Sequence, residues 1–154
     1  MELDTAIGAV DTRSRERRTV VVSSMASDSH TWNLVFLQLL LEELGHDVIN
    51  LGACVPDDLL VARCLADRPD LLVLSSVNGH GLQDGLRVIG ALRGRPELAG
   101  LPVVIGGKLG IGGADPRRAP VLLAAGFDAV FEEGASSAAL FRTFVDSLPS
   151  GARL

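Results

Sequence analysis

The sequence predicts an α/β domain of the flavodoxin-like, doubly wound kind, a five-stranded parallel sheet in the order 2-1-3-4-5. Three observations predict it. Five short apolar runs alternate with five segments of helical character, the pattern of repeated strand–helix units. The central runs are almost continuously apolar, as strands buried on both faces must be. Polar turns follow the first, third and fourth runs, the last two of them glycine-bearing, at the strand carboxyl ends where open parallel sheets gather ligands.

Each element has its own reason. Thr19–Ser24 is the first strand, and Trp32–Leu44 is a helix with Leu34, Leu37, Leu41 and Leu44 at helical spacing, closed by Gly45. Asp47–Leu51 is the second strand. After the loop Gly52–Val55, Pro56 opens the helix Asp57–Asp67, with Asp57 and Asp58 at its positive end. Leu71–Ser75 is the third strand, and its turn leads into a helix over Leu82–Arg93. Leu101–Ile105 is the fourth strand, ending at Gly106-Gly107-Lys108. A helix around Ala119–Ala125, a fifth strand Ala129–Phe131 and a last helix Ser136–Leu148 complete the chain before Pro149 and Gly151.

Composition bounds the class. With 154 residues, 47% hydrophobic and 21% charged, the chain suits one domain with a real core. We expect that domain over residues 19–148, a disordered arm over 1–18 and a flexible end over 149–154. The arm carries Arg13, Arg15, Arg17 and Arg18 without an apolar stretch, so it does not read as a signal peptide. A net charge of −5 and a single lysine, Lys108, argue against a nucleic-acid face or a polybasic membrane anchor. No run reaches the roughly 18 apolar residues of a membrane span. Cys54 and Cys64 lack CxxC spacing and are expected to be buried thiols in a reducing compartment. A cytoplasmic protein is the expectation.

The candidate site is the loop Ser27-Asp28-Ser29-His30-Thr31, directly after the first strand. An imidazole with a carboxylate two residues away is a metal ligand with its orienting partner supplied. The 2-1-3-4-5 order brings this loop beside Ser75–Gly81 and Gly106–Gly113, and a pocket is expected where the three converge. Ser29 or Thr31 is expected to cap the following helix. His46, at a helix end, reads as structural and favourable to the dipole. His80 suits either the pocket or the surface, and Lys108 either a bound anion or solvent. Trp32 either anchors its helix against the sheet or touches a ligand or partner, and Gly110–Gly113 is weak evidence of anything beyond a flexible loop.

Three ligand classes use such a crevice. A phosphoryl-receiver domain needs an acceptor Asp at the end of the third strand, where this chain has Ser75-Ser76. A flavin site has a hydroxyl-rich loop available, but the chain has no Tyr and one Trp to form ring walls. The third class is recognisable. Asp28-Ser29-His30-Thr31-Trp32-Asn33 resembles the Asp-x-His-x-x-Gly signature of cobalamin-binding domains, with Asn33 standing where the signature has Gly. Ser75-Ser76-Val77-Asn78-Gly79-His80-Gly81 looks like the Ser-x-Leu region of that family, and Gly106-Gly107 like its Gly-Gly turn after the fourth strand. Val48-Ile49-Asn50-Leu51-Gly52 and the Ser-Ser-x-x-Gly-x-Gly form are most similar to the small subunit of glutamate mutase (methylaspartate mutase). The resemblance runs from about Val20 to Leu148.

The resemblance implies a cobalamin-binding, Rossmann-like domain in which His30 ligates cobalt in place of the dimethylbenzimidazole tail and Asp28 orients it. Small and hydroxylated residues, Ser75, Val77, Gly106 and Gly107, would line the slot for the displaced tail, with Ser27, Ser29, Thr31, Asn33, Gly79 and Lys108 around it. No catalytic residue is expected on this chain. It implies adenosylcobalamin as cofactor and a role as one component of an isomerase, a radical carbon-skeleton mutase converting glutamate to 3-methylaspartate. The chain would be inactive alone and would work with a larger barrel subunit in a heterodimer or heterotetramer. Two other uses of the site stay open: a non-enzymatic cobalamin carrier or sensor, and an interaction module that has lost cobalamin, which Asn33 would explain.

Overall fold

The computed structural model describes residues 16–149, and the expectations for 1–15 and 150–154 lie outside the described residues. The elements are β1 (Thr19–Ser23), α1 (Trp32–Glu43), β2 (Asp47–Gly52), α2 (Asp57–Asp67), β3 (Leu71–Ser76), α3 (Gly81–Arg93), β4 (Val103–Gly107), α4 (Arg118–Ala125), β5 (Ala129–Glu132) and α5 (Ser137–Asp146), with a single 3-10 turn at Pro96–Leu98. The five strands form one sheet in the expected order, β2-β1-β3-β4-β5, and every neighbouring pair is parallel.

Strand alternation divides the core in two. Val20, Val22, Leu71, Val73 and Val104 face α1 and α5, where Leu34, Leu41, Phe141 and Val145 meet them. Val21, Leu72, Leu74, Val103 and Ile105 face the other way, toward Leu60, Cys64, Ile89 and Leu122 of α2, α3 and α4. Each such side chain, fully buried, contributes roughly 1.5–3 kcal/mol. The same parity decides the site: Ser75 continues the Leu71–Val73 face toward α1 and α5, while Ser76 faces α3.

Four expectations are corrected. β4 starts at Val103 rather than Leu101, because Pro102 has no N–H for a ladder and offers only its carbonyl, to Leu72 N–H at 2.9 Å. Gly106 and Gly107 are the last two residues of β4, not a turn after it, paired with Ser75 and Ser76 on one side and Phe131 and Glu132 on the other. His46 does not serve the helix dipole as a cation: it is 4% exposed, and its Nδ1 accepts the Arg18 N–H at 3.1 Å. Burial, then the Arg18 charge, depress its pKa, so the neutral ring is favoured. Cys64 is buried but Cys54 is exposed. Cys54 adopts a left-handed φ of 54° that turns its N–H to the Asp28 carbonyl at 2.9 Å.

Candidate functional site

β1 delivers the chain to the sheet edge, and a short turn, Asp28 N–H to the Met25 carbonyl at 3.0 Å, swings Asp28 beneath the loop. Asp28 is 1% exposed. Its Oδ1 accepts from the His30 backbone N–H at 3.1 Å and meets His30 Nδ1 at 2.8 Å. Its Oδ2 accepts from Val77 N–H at 2.7 Å and Asn78 N–H at 3.1 Å. Burial pushes the carboxyl upward, but the hydrogen bonds from Val77, His30 and Asn78 together outweigh it and hold it below the usual carboxylate value. An ionised Asp28 fixes the proton on His30 Nδ1 and leaves Nε2 as a lone-pair donor. The imidazole is half exposed, at 53% of its side chain, so that nitrogen is open to a ligand. Among the described residues no three His, Cys, Asp or Glu side chains gather to hold a metal ion.

A second set of bonds supports the loop from the α3 side. Ser27 Oγ donates to Asp84 Oδ2, and Asn78 Nδ2 donates to Ser27 Oγ at 3.0 Å. Arg87 then joins Asp84 Oδ1 at 2.9 Å to Asp57 at 2.6 Å, tying α3 to the start of α2. Asp84 is buried, and this pairing explains an acid on the apolar face of α3.

Beside the loop, α1 and α5 leave a slot of about 260 Å³ over the carboxyl halves of β3 and β4. Its walls include Phe36, Leu40, Phe131 and Phe141, and its floor Val73, Ser75, Gly106 and Gly107. Asn33, on the first turn of α1, projects into it and donates from Nδ2 to Ser75 Oγ at 2.7 Å. The Asn33 Oδ1 atom is buried with no hydrogen-bond partner. The glycine floor is a steric necessity at Gly107, where φ is +94° and a Cβ would lie 2.1 Å from the Ser76 carbonyl oxygen.

The residues singled out in the sequence therefore separate into groups. Asp28, His30 and the Val77 amide form one hydrogen-bonded group, while Asn33, Ser75, Gly106 and Gly107 line the slot. Val77 does not line the slot, and Gly79 is buried against Gly110 and Ile111 instead. Ser29, Thr31, His80 and Lys108 are exposed. Thr31 occupies the cap position of α1, but neither it nor Ser29 makes the expected side-chain cap bond. Trp32 is 82% exposed, so it does not anchor α1 against the sheet. Asn78, Asp84, Arg87 and the three phenylalanines were missed. Asp84 alone had a sequence signal, an acid in register with the apolar stripe Gly81, Gly85, Val88 and Leu92.

Comparison with known proteins gives a consistent picture. A family profile described as "B12 binding domain" matches residues 18–141. The glutamate mutase sigma subunit 1 of Haloarcula marismortui is 31% identical over 118 residues, covering 75% of this chain and 76% of that protein. The glutamate mutase sigma subunit of Clostridium tetanomorphum is 28% identical over 124 residues, covering 79% of this chain and 88% of its own length. A cobalamin-binding protein from Desulfitobacterium hafniense superposes with a TM-score of 0.64 at 20% identity, over 83% of this chain and 58% of that one. At that identity the superposition speaks to the fold alone.

Proposed function

The chain belongs to the B12-binding domain family, with glutamate mutase sigma subunits among its relatives, and from that premise we propose that it is the cobalamin-binding subunit of an adenosylcobalamin-dependent carbon-skeleton mutase. The reaction class is isomerisation of glutamate to 3-methylaspartate, carried out with a separate catalytic subunit. The observation that carries the reading is His30, held by a fully hydrogen-bonded Asp28 with its ring half exposed, three residues before Asn33, which lines an apolar slot.

The residues fit a corrinoid. One imidazole would suit a metal that a macrocycle already holds, and among the described residues no three His, Cys, Asp or Glu side chains gather to hold a bare ion. An apolar cavity of about 150 Å³ holds one benzene ring, so a slot of about 260 Å³ suits a detached two-ring base. When bound, adenosylcobalamin supplies a cobalt–carbon bond that breaks homolytically to start radical chemistry. This chain's part is to present His30, keep its tautomer through Asp28, and hold the nucleotide tail away from the metal. Ser75 and Asn33 supply the polar contacts in the slot; Ser27, Ser29 and Thr31 lie on the exposed rim, with Gly79 and Lys108 on the neighbouring loops. The exposed rim is where a catalytic subunit would close over the cofactor, and no helix among the described residues is long and apolar enough to cross a membrane.

The test is an absorption titration of the purified chain with adenosylcobalamin and hydroxocobalamin, beside His30→Ala. Saturable binding with the base-off, histidine-on spectrum, lost in the variant, supports the cofactor role. Restored glutamate isomerisation with a catalytic glutamate mutase subunit supports the enzymatic one. Binding without turnover with every such subunit would favour a carrier or sensor, and no corrinoid binding would leave an interaction module.

A further inference from the structure

We propose that the outer face of α1 is a self-association surface on which a second copy of this chain packs, the two α1 helices lying antiparallel across a two-fold axis. α1 is apolar on both sides. Leu34 and Leu41 are buried against the sheet, yet Trp32, Val35, Phe36 and Leu39 are exposed on the opposite side, Trp32 at 82% and Leu39 at 61%. These four recur at i, i+3, i+4 and i+7, so they form one stripe two turns long. Apolar residues all round are the composition of a buried helix, and among the described residues nothing covers this face. At roughly 150–250 Å² for a whole aromatic side chain, Trp32 and Phe36 alone leave about 200–350 Å² uncovered. Val35 and Leu39 enlarge the patch to the size at which exposed apolar surface marks an interaction site.

The charges around the stripe point to another copy as the occupant, because each end of α1 lacks what the other end carries. The only charged residues of α1 are Glu42 and Glu43, at the helix C-terminus, where the macrodipole is already negative and a cation would be favoured. Gln38 Nε2 donates to Glu42 at 3.2 Å, and the Arg142 guanidinium of α5 comes no closer to Glu43 than 3.8 Å. At the other end the first turn holds no acid and Thr31 makes no side-chain cap bond, so the positive end has no anion. A two-fold interface uses the same patch on both copies. Antiparallel packing centred between Val35 and Phe36 sets Trp32 of one copy level with Leu39 of the other, and Glu42 level with Ser29, just off the uncapped first turn. Each copy's acid then meets the other's positive helix end, whereas parallel packing would crowd four glutamates together. A net charge of −5 makes copies repel over the rest of the surface, and the uncharged stripe is where that repulsion is least.

The test is sedimentation equilibrium of the full chain, with interference detection, from about 1 μM to about 200 μM, where an interface of modest area associates. It is read beside the emission of Trp32, the only tryptophan of the chain. The wild type should pass from monomer to dimer across that span, with Trp32 emission moving to shorter wavelength in step. Leu39→Lys and Trp32→Lys, both at exposed sites outside the slot, should each raise the dissociation constant about a hundredfold, roughly tenfold for each copy that carries the change. Far-UV dichroism and urea midpoints equal to wild type show that the monomer is intact. Glu42→Gln should raise the constant about threefold, through the lost contact with the opposing helix end. A wild type still monomeric at the highest concentration overturns the inference, as does a dimer that either lysine variant leaves unchanged. A monomer whose Trp32 emission shifts only on adding a catalytic glutamate mutase subunit gives the face to that subunit and overturns it too. Tighter association of Glu42→Gln would mean parallel helices and overturns the antiparallel arrangement.

Discussion

The Val77 N–H donates to Asp28 Oδ2 at 2.7 Å, so the carboxylate that orients His30 is itself oriented by the chain leaving β3. Every acceptor position Asp28 uses is occupied: His30 takes one oxygen, Val77 and Asn78 the other. Asp28→Asn must turn an NH2 toward one of those two sets of donors. We expect it to lower the unfolding free energy by about 2–6 kcal/mol, since two part-buried donors lose their partner at about 1–3 kcal/mol each. Corrinoid affinity should fall about 10–100-fold. A urea midpoint unchanged from wild type would show that these bonds do not hold the loop.

Gly107 and Gly90 make a matched pair. Gly107→Ala puts a Cβ 2.1 Å from the Ser76 carbonyl oxygen at a φ of +94°, so β3 and β4 must part or the residue must twist. The expected cost exceeds about 3 kcal/mol. Gly90 lies in α3 with nothing within 4 Å of the place a Cβ would take, and Gly90→Ala should stabilise by roughly 0.5–1 kcal/mol through helix propensity. Guanidinium unfolding of both variants checks the contrast; equal effects would contradict the tight β3–β4 approach.

The fold was legible because each strand–helix unit carries its own local signal, and α2 falls on Asp57–Asp67 as read. The contact between Asp28 and His30 was legible too, since they are two residues apart and their hydrogen bond is local. What local patterns do not encode is which distant groups meet. Asn33 bonds Ser75 across 42 residues and Ser27 bonds Asp84 across 57, and only the closed sheet brings them together. Thr31 shows the reverse failure. Its residue type and position promised a cap, but its hydroxyl makes no cap bond, and its backbone, at φ −121° and ψ −28°, departs from the extended conformation that aims a cap side chain at the helix N–H groups.

His46 gives the fold a pH dependence of definite sign. Its folded pKa lies below the 6.5 of a free histidine, through burial first and the Arg18 charge second. The unfolded chain therefore takes up a proton more readily, and stability falls as pH drops through 6.5, until the folded ring protonates too. Charging the ring also removes the acceptor for Arg18 N–H. The difference in unfolding free energy between wild type and His46→Asn should shrink as pH is lowered from about 7.5 toward about 5.5, measured by urea titration at each pH. A difference that grows toward acid would mean that the ring is stabilised as a cation.

Asp84 tests whether the α3 brace sets the readiness of the ligand loop. Its carboxylate takes the Ser27 hydroxyl on one oxygen and Arg87 on the other. The Arg87 side chain is 49% exposed, so its ion pairs contribute no more than about 1 kcal/mol to global stability, and Arg87→Ala should leave the urea midpoint nearly unchanged. Asp84→Ala is different, because Ser27, and through it Asn78, loses the α3 carboxylate against which the joined loops are braced. Hydrogen exchange at the Asp28 and His30 amides should then speed by about tenfold, a local opening about 1.4 kcal/mol easier, while core amides of β3 keep their rates. Corrinoid affinity should fall by a similar factor, since binding would have to restore the order that the brace supplied. If exchange at those two amides is unchanged in Asp84→Ala, the loop is held by Val77 and Asn78 alone, and the brace belongs to the packing of α3 on α2.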